Sequence, residues 1–238
     1  MSAPSSPKAP LLSLTGPLIR TTTSGLKFPL LEIFGIRLSM KVESWMVKDV
    51  ITIGCDAGIR DALMVMKKHS VRHLPVVDNG DFIGLVTLGD LKQSILASMI
   101  EQLKVSDVMI REPYTITRDT SLEMAARIIY EKRIGCLPVV EENKIVGILT
   151  VNDILKAFID IMGVLKAGSR IDVILKNVHG SFDEVVSIIE ATNGYIISAG
   201  MTINGDENYH HFRISGGDTA AIARELTNMG YRGVKVID

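Results

Sequence analysis

Two cysteines, Cys55 and Cys136, are the whole thiol complement of this 238-residue chain, and neither sits in a Cys-x-x-Cys or Cys/His cluster. That scarcity excludes a disulfide framework and a structural zinc site, and it points to a reducing compartment, the cytoplasm. An excess of one charge is also missing, since the formal net charge is −1 and the pI about 6.5. Without a basic field, nucleic-acid binding by bulk electrostatics has no support. No apolar run reaches the roughly 18 residues of a spanning helix, so no membrane association is expected. Also absent are a Gly-x-Ser-x-Gly elbow, a Gly-Lys-Ser/Thr phosphate loop and a His-Glu-x-x-His pair. Their absence argues against the common hydrolase, nucleotidase and metalloprotease designs.

What is present is ordinary for a globular chain: 47% hydrophobic and 22% charged residues exclude disorder throughout and suit one large or two to three small domains. The first 39 residues stand apart, with Pro4, Pro7, Pro10, Pro17 and Pro29, many Ser and Thr, and Glu32 as their one acid. An Arg- and Ser-containing, acid-poor start is like an organelle transit peptide in composition. The favoured expectation is a disordered tail at 1–39 upstream of a translation start at Met40.

From Met46 onward the chain repeats itself without a gap, at the constant offset that carries Met46 to Met109 and Leu91 to Ile154. Thr52 falls on Thr115, Asp56 on Asp119, Leu74-Pro75-Val76-Val77 on Leu137-Pro138-Val139-Val140, Gly84 on Gly147, Thr87 on Thr150 and Asp90 on Asp153. Two copies of this length cannot form a stacked array, so the expectation is two small domains packed face to face. Each copy reads as short strand, amphipathic helix, strand, hairpin, strand, helix. Ile59, Ala62, Leu63 and Met66 recur at helical spacing, as do Leu122, Ala125, Ala126 and Ile129. Asp78-Asn79-Gly80-Asp81 suits a tight hairpin, with Glu142-Asn143 in its place in the second copy. Pro75 and Pro138 cannot donate to a ladder and are expected at a strand start or an exposed edge, where a ligand could approach.

Thr87-Leu88-Gly89-Asp90 and Thr150-Val151-Asn152-Asp153 each precede a predicted helix. The spacing is that of a capping box, in which hydroxyl and carboxylate satisfy orphan backbone donors. The same groups at a helix N-terminus also suit a nucleotide: the carboxylate can accept from ribose hydroxyls, while Thr and backbone N–H groups can donate to phosphate.

Over roughly Lys41 to Ile161 these residues resemble a tandem pair of cystathionine β-synthase (CBS) domains, a regulatory nucleotide-sensing module. The resemblance implies two clefts that take AMP, ADP or ATP, with Mg2+ as a companion ion. It implies that Asp90 and Asp153 hold ribose and that Thr87 and Thr150 contact phosphate or ribose. The backbone around Thr52-Ile53 and Thr115-Ile116, together with the Leu-Pro-Val strands that hold Pro75 and Pro138, would wall the adenine. A basic residue often precedes Leu-Pro-Val in the family; here the first copy has Arg72-His73 and the second Gly135-Cys136, so the two sites should differ. Arg133, with Lys132, could compensate from the helix end. No second His or Cys stands at ligand spacing from His73, so no metal is assigned.

Leu155, Phe158, Ile159, Met162 and Leu165 continue the last repeat helix as an apolar stripe that ends near Gly168-Ser169. The expected boundaries are 40–100 and 101–163 for the repeats and 168–238 for a third domain. That domain reads strand Arg170–Lys176, helix Phe182–Thr192, strands Tyr195–Ile203 and Tyr209–Ile214 around Asn204-Gly205-Asp206, helix Thr219–Met229 and strand Val234–Ile237. The order βαββαβ gives a ferredoxin-like sandwich, so the whole is a mixed α+β chain. Asn177-Val178-His179-Gly180 resembles the loop of ACT domains, which implies an amino-acid site using Asn177 and Gly180. His179 replaces the usual Pro, and Tyr195 stands where serine-sensing relatives carry Asn. His210-His211 alternate across a strand and are read as structural.

The order CBS, CBS, ACT resembles bacterial acetoin-utilisation regulatory proteins. The leading expectation is therefore a non-catalytic cytoplasmic regulator, a homodimer in which an adenine nucleotide changes how the protein meets an unknown protein target. Two others remain open: a dimerisation scaffold without ligand, and a small enzyme of acetoin or acetyl metabolism.

Overall fold

The computed structural model describes residues 40–97, 103–176, 178–205 and 207–238. The tail at 1–39, the boundary between the repeats at 100 and 101, Asn177 of the loop and Asp206 of the hairpin turn lie outside the described residues. In chain order the first repeat gives β1 (Ile53–Gly54), α1 (Ile59–His69), β2 (His73–Asp78), β3 (Asp81–Thr87) and α2 (Leu88–Ala97). The second gives α3 (Val105–Val108), α4 (Leu122–Lys132), β4 (Cys136–Glu141), β5 (Lys144–Thr150) and α5 (Val151–Ile161). The third domain gives β6 (Ser169–Ile174), α6 (Ser181–Ala191), β7 (Gly194–Asn204), β8 (Glu207–Gly216), α7 (Thr219–Asn228) and β9 (Arg232–Ile237). Among the described residues no helix is long and apolar enough to cross a membrane.

The repeat in sequence is a repeat in backbone. Helices α1 and α4 bury Ile59, Ala62 and Met66 and, in the same places, Leu122, Ala125 and Ile129. They stop at matching left-handed residues, Ser70 (φ 55°) and Arg133 (φ 54°), which end a helix by turning its last amides onto its own carbonyls. Both hairpins turn through two positive φ angles, at Asn79-Gly80 and Glu142-Asn143, which matches the twist of the flanking strands. The parallel pairing Ile53 with Val76 recurs as Ile116 with Val139, and a bulge follows Val76 and Val139 alike.

The leading segments cross over. Val42 and Met46 pack into the second repeat's core with Leu122, Leu137 and Leu149, while Val105 and Met109 join the first repeat's core with Ile59, Leu74 and Val86. Val47 bridges Ile148, and Ile110 bridges Leu85. Gly84 and Gly147 make room for this exchange: a Cβ on Gly147 would run into the Met46 sulfur, and one on Gly84 would lie 2.9 Å from the Met109 sulfur. At the surface the ion pairs Lys41–Asp119 (2.6 Å) and Lys104–Asp56 (2.7 Å) repeat the exchange.

One expectation needs correction. Pro75 and Pro138 are neither at an exposed edge nor at a strand start; both are buried inside the strands, paired with Leu85 and Ile148. Their missing donor is tolerated where the neighbouring parallel pairing begins, Pro138 accepting from the Ile116 amide at 3.1 Å. Helix α5 buries Ile154 and Ala157, whereas Leu155, Phe158, Met162 and Leu165 of the apolar stripe are exposed.

The third domain has sheet order β7-β8-β6-β9 with βαββαβ connectivity, a ferredoxin-like sandwich. Ile171, Val173, Phe212 and Ile214 turn to one face and pack with Val185 and Ile189 of α6 and Ile222 and Leu226 of α7. The end of α5 is tied to this sheet, since Ser198 Oγ donates to the Met162 carbonyl (2.8 Å) and Arg213 Nη2 to those of Val164 (3.1 Å) and Lys166 (2.9 Å).

Candidate functional site

At the N-termini of α2 and α5 the Thr-x-x-Asp groups form capping boxes with matched geometry. Asp153 Oδ2 accepts from the Thr150 amide (2.8 Å) and hydroxyl (2.7 Å), and Thr150 Oγ1 accepts from the Asp153 amide (3.4 Å). The same three bonds at Thr87 and Asp90 measure 3.0, 2.7 and 3.3 Å. Each hydroxyl thus gives its only proton to its own carboxylate, which leaves the threonines as acceptors and Oδ1 of each aspartate as the oxygen for an incoming donor. The Leu88 amide donates to the Arg72 carbonyl (2.9 Å) and the Val151 amide to that of Gly135 (3.2 Å), which fixes the strand entrance against each helix start.

Between the repeats lies a cavity of about 750 Å³. It brings together Arg72, His73, Thr87, Thr150 and Asp153 of the expected residues, and adds Asp49, Val50, Ile51, Lys92, Gly135 and Asn152. The side chains of Ile53 and Ile116 turn into the two cores by strand alternation, which leaves only their backbone to face a ligand. Thr52, Thr115, Pro75, Pro138, Asp90 and Arg133 are also off its lining, Arg133 because it is an exposed residue closing α4. Lys132 lies 5.1 Å from the centre of the Tyr114 ring.

The walls differ in charge. Arg72, Lys92 and His73 stand against Asp49 and Asp153. Burial, and then the Arg72 charge, hold the His73 imidazole below its usual range, against a smaller opposing pull from Asp90. His73 also reaches into the other repeat, where a Cβ on Gly135 would stand 2.7 Å from its Nε2. Cys136, the counterpart of His73, is buried, and that burial pushes its thiol up to about 12. Asp49, Val50, Ile51 and Lys92 were not read from the sequence; Val50-Ile51 precede Thr52 directly and continue the crossing segment, whereas Lys92 carries no pattern that marks it.

A second cavity, of about 590 Å³, opens beside the β6–α6 loop and is lined by Lys176, His179, Gly180, Glu207, His210 and Arg232 among others. Gly180 caps α6 at φ 85° with no side-chain bond to the first turn, and His210 Nδ1 is buried without a partner. Among the described residues no group of three metal-ligating side chains occurs.

Comparison with known proteins bears on the first cavity. The CBS domain family matches residues 42–97 and 105–160. The chain is 35% identical over 127 residues to an inosine-5'-monophosphate dehydrogenase of Methanocaldococcus jannaschii, covering 52% of this chain and 25% of that one. It is 32% identical over 114 residues to the CBS domain-containing protein YhcV of Bacillus subtilis, covering 48% of this chain and 81% of the relative. Among solved structures, an acetoin utilization protein (AcuB) of Vibrio cholerae is similar at TM-score 0.48 and 28% identity, covering 53% of this chain and 95% of that chain. CBSX2 of Arabidopsis thaliana, solved in complex with AMP, is similar at TM-score 0.46 and 29% identity, covering 51% and 97%. The chain spans 25%, 43% and 46% of the length of three archaeal relatives.

Proposed function

This chain belongs to the CBS-domain family, with two tandem copies, and we propose that it is a non-catalytic regulatory protein that takes one adenosine nucleotide in the cavity between them. The observation that carries this reading is the polarity of that cavity. Asp153 Oδ1 waits at one wall for ribose hydroxyls, and Arg72 and Lys92 supply positive charge for phosphates. Its volume lies within the range of small-molecule sites. Val50, Ile51 and Ile148 provide the apolar wall for a base.

The relay to a partner runs through α5, whose first turn carries Asp153 and whose end is tied to the third domain by Ser198 and Arg213. A nucleotide that favours one setting of α5 would shift that domain by its differential affinity for the two settings. The exposed apolar stripe of Leu155, Phe158, Met162 and Leu165 supports a homodimer, because a second copy would cover it. The two unpaired cysteines favour the cytoplasm.

The test is isothermal titration of the full chain with AMP, ADP, ATP, S-adenosylmethionine and NAD. Saturable micromolar binding of one adenine compound at one site per chain supports the reading; silence across the panel leaves the scaffold without ligand. A second reading rests on the smaller cavity: Gly180 and the open first turn of α6 could receive a carboxylate, and Glu207 an ammonium group, as in an ACT-type amino-acid site. Titration with the common amino acids tests it separately.

A further inference from the structure

On the face of the third domain's sheet that turns away from α6 and α7, four side chains make a continuous hydrogen-bonded line. Arg170 Nη2 donates to Asp172 Oδ2 (3.1 Å), and its Nε lies 2.9 Å from Oδ1. Asp172 Oδ1 meets His211 Nδ1 at 2.7 Å, and His211 Nε2 meets Thr202 Oγ1 at 2.7 Å. Asp172 is only 7% exposed, whereas Thr202 is open to solvent. The register explains the assembly: Asp172 stands opposite His211, and His211 stands opposite Gly200, which offers no side chain. The imidazole can therefore lean diagonally to Thr202, two residues along β7.

With a gripped carboxylate on one side, the Nδ1 proton of His211 is the donor to Asp172. In the neutral ring the Nε2 lone pair then faces Thr202, and the hydroxyl donates to it. This is the resting order of groups that activate a hydroxyl for acyl transfer: nucleophile, base, and an acid that orients the base. β7 is an edge strand, so half of its amides point away from β8 and can receive a developing oxyanion. Met162 packs against Gly200, its Cε 3.4 Å from where a Cβ would be, and gives the position an apolar border.

We infer that Thr202 is a covalent acceptor for acyl groups delivered as activated esters, a thioester or an acyl phosphate, with His211 as its base. The Thr202 oxygen forms the bond to the carbonyl carbon, and the bond from that carbon to the leaving sulfur or oxygen breaks. The hydroxyl proton passes to His211 Nε2 and from there to the leaving group, so the imidazole ends neutral and Thr202 carries an ester. No step uses the cavity between the repeats, so the acceptor stands or falls apart from nucleotide binding.

The experiment treats the full chain with 4-nitrophenyl acetate and follows nitrophenolate release together with peptide mapping by mass spectrometry. The expected result is one acetyl group on Thr202, absent in Thr202→Val and kept in Thr202→Ser. His211→Gly should slow that acetylation about 100-fold, and added imidazole should restore it, which a merely structural histidine would not show. Where His211→Gly fails to fold, the Thr202→Val and Thr202→Ser pair decides. Absence of acetyl at Thr202 in the wild-type chain, or an unchanged rate in folded His211→Gly, overturns the inference.

Discussion

The two repeats share a backbone and differ in chemistry. Their helix stops, hairpin turns, bulges, capping boxes, exchanged methionines and surface ion pairs coincide at one offset. Yet Arg72 faces Gly135, His73 faces Cys136 and Lys92 faces Leu155 at that same offset. Positions that set φ or fill the core are held to one solution by sterics, whereas cleft positions carry no such constraint. The second repeat thereby gives up all three basic groups that line the cavity in the first. The proposal of one nucleotide site per chain rests on that loss.

The widest contrast expected is between the cysteines. With its thiol pushed up to about 12, Cys136 has roughly one thiolate in ten thousand at about pH 8, and its side chain is buried. Iodoacetamide followed by peptide mapping should label half-buried Cys55 and leave Cys136 unmodified until the chain unfolds. Equal labelling would show that the small cluster of Cys136 with Leu85 and Ile148 opens readily in the folded chain.

Next comes the cleft itself. Asp153→Ala should weaken nucleotide binding by about 1.5–3 kcal/mol, some 10- to 100-fold, the usual scale for charged hydrogen bonds. Asp90→Ala, off the cavity lining, should leave affinity nearly unchanged. Both remove a cap and cost about 1 kcal/mol of stability, so urea unfolding of the two variants is the control. Equal losses of affinity would mean two working clefts and break the asymmetry.

The exchanged segments offer a comparison in stability alone. A Cβ on Gly84 meets the Ile110 backbone carbonyl at 2.8 Å as well as Met109, whereas the three atoms nearest one on Gly147 all belong to the flexible Met46 side chain. Gly84→Ala should cost about 1–3 kcal/mol and Gly147→Ala less, since a methionine can change rotamer where a bridged carbonyl cannot move. Denaturant midpoints decide the order.

Why some of this was legible in the sequence and some was not follows from what a period encodes. The offset established equivalence, so the paired helices, hairpins and Thr-x-x-Asp boxes were readable from Met46 to Ile154. It could not say which core each leading segment joins: Val42 and Val105 are equivalent whether they pack at home or across, and they pack across. The family resemblance implied only that the backbone at Ile53 and Ile116 walls the base, and strand alternation points their side chains inward, into the cores. Arg133 is spent closing α4. Lys92 reaches the cavity through three-dimensional placement that no local pattern announces. In the third domain the order of elements was readable within a residue or two at most ends, while the line from Asp172 to Thr202 depends on cross-strand register, which alternation alone does not fix.

The smallest effect expected separates His73 from its counterpart by pH. Burial and Arg72 lower the His73 pKa below the ordinary imidazole value of 6.5, so just below that pH the unfolded chain binds a proton that the folded chain does not. Stability from this group is therefore full above about 6.5 and is lost as pH falls through the folded value. Urea midpoints of the wild type against His73→Gln at about pH 5.5 and about pH 7.5 should show the wild type falling further on the acid side. A nucleotide's phosphates beside His73 would reverse the sign of its environment and raise its pKa, so binding should take up protons between those limits. Titration in two buffers of different ionisation enthalpy reads that uptake directly. Cys136 has nothing to protonate there, so uptake that persists in His73→Gln would place the phosphates elsewhere than at the first repeat's basic wall.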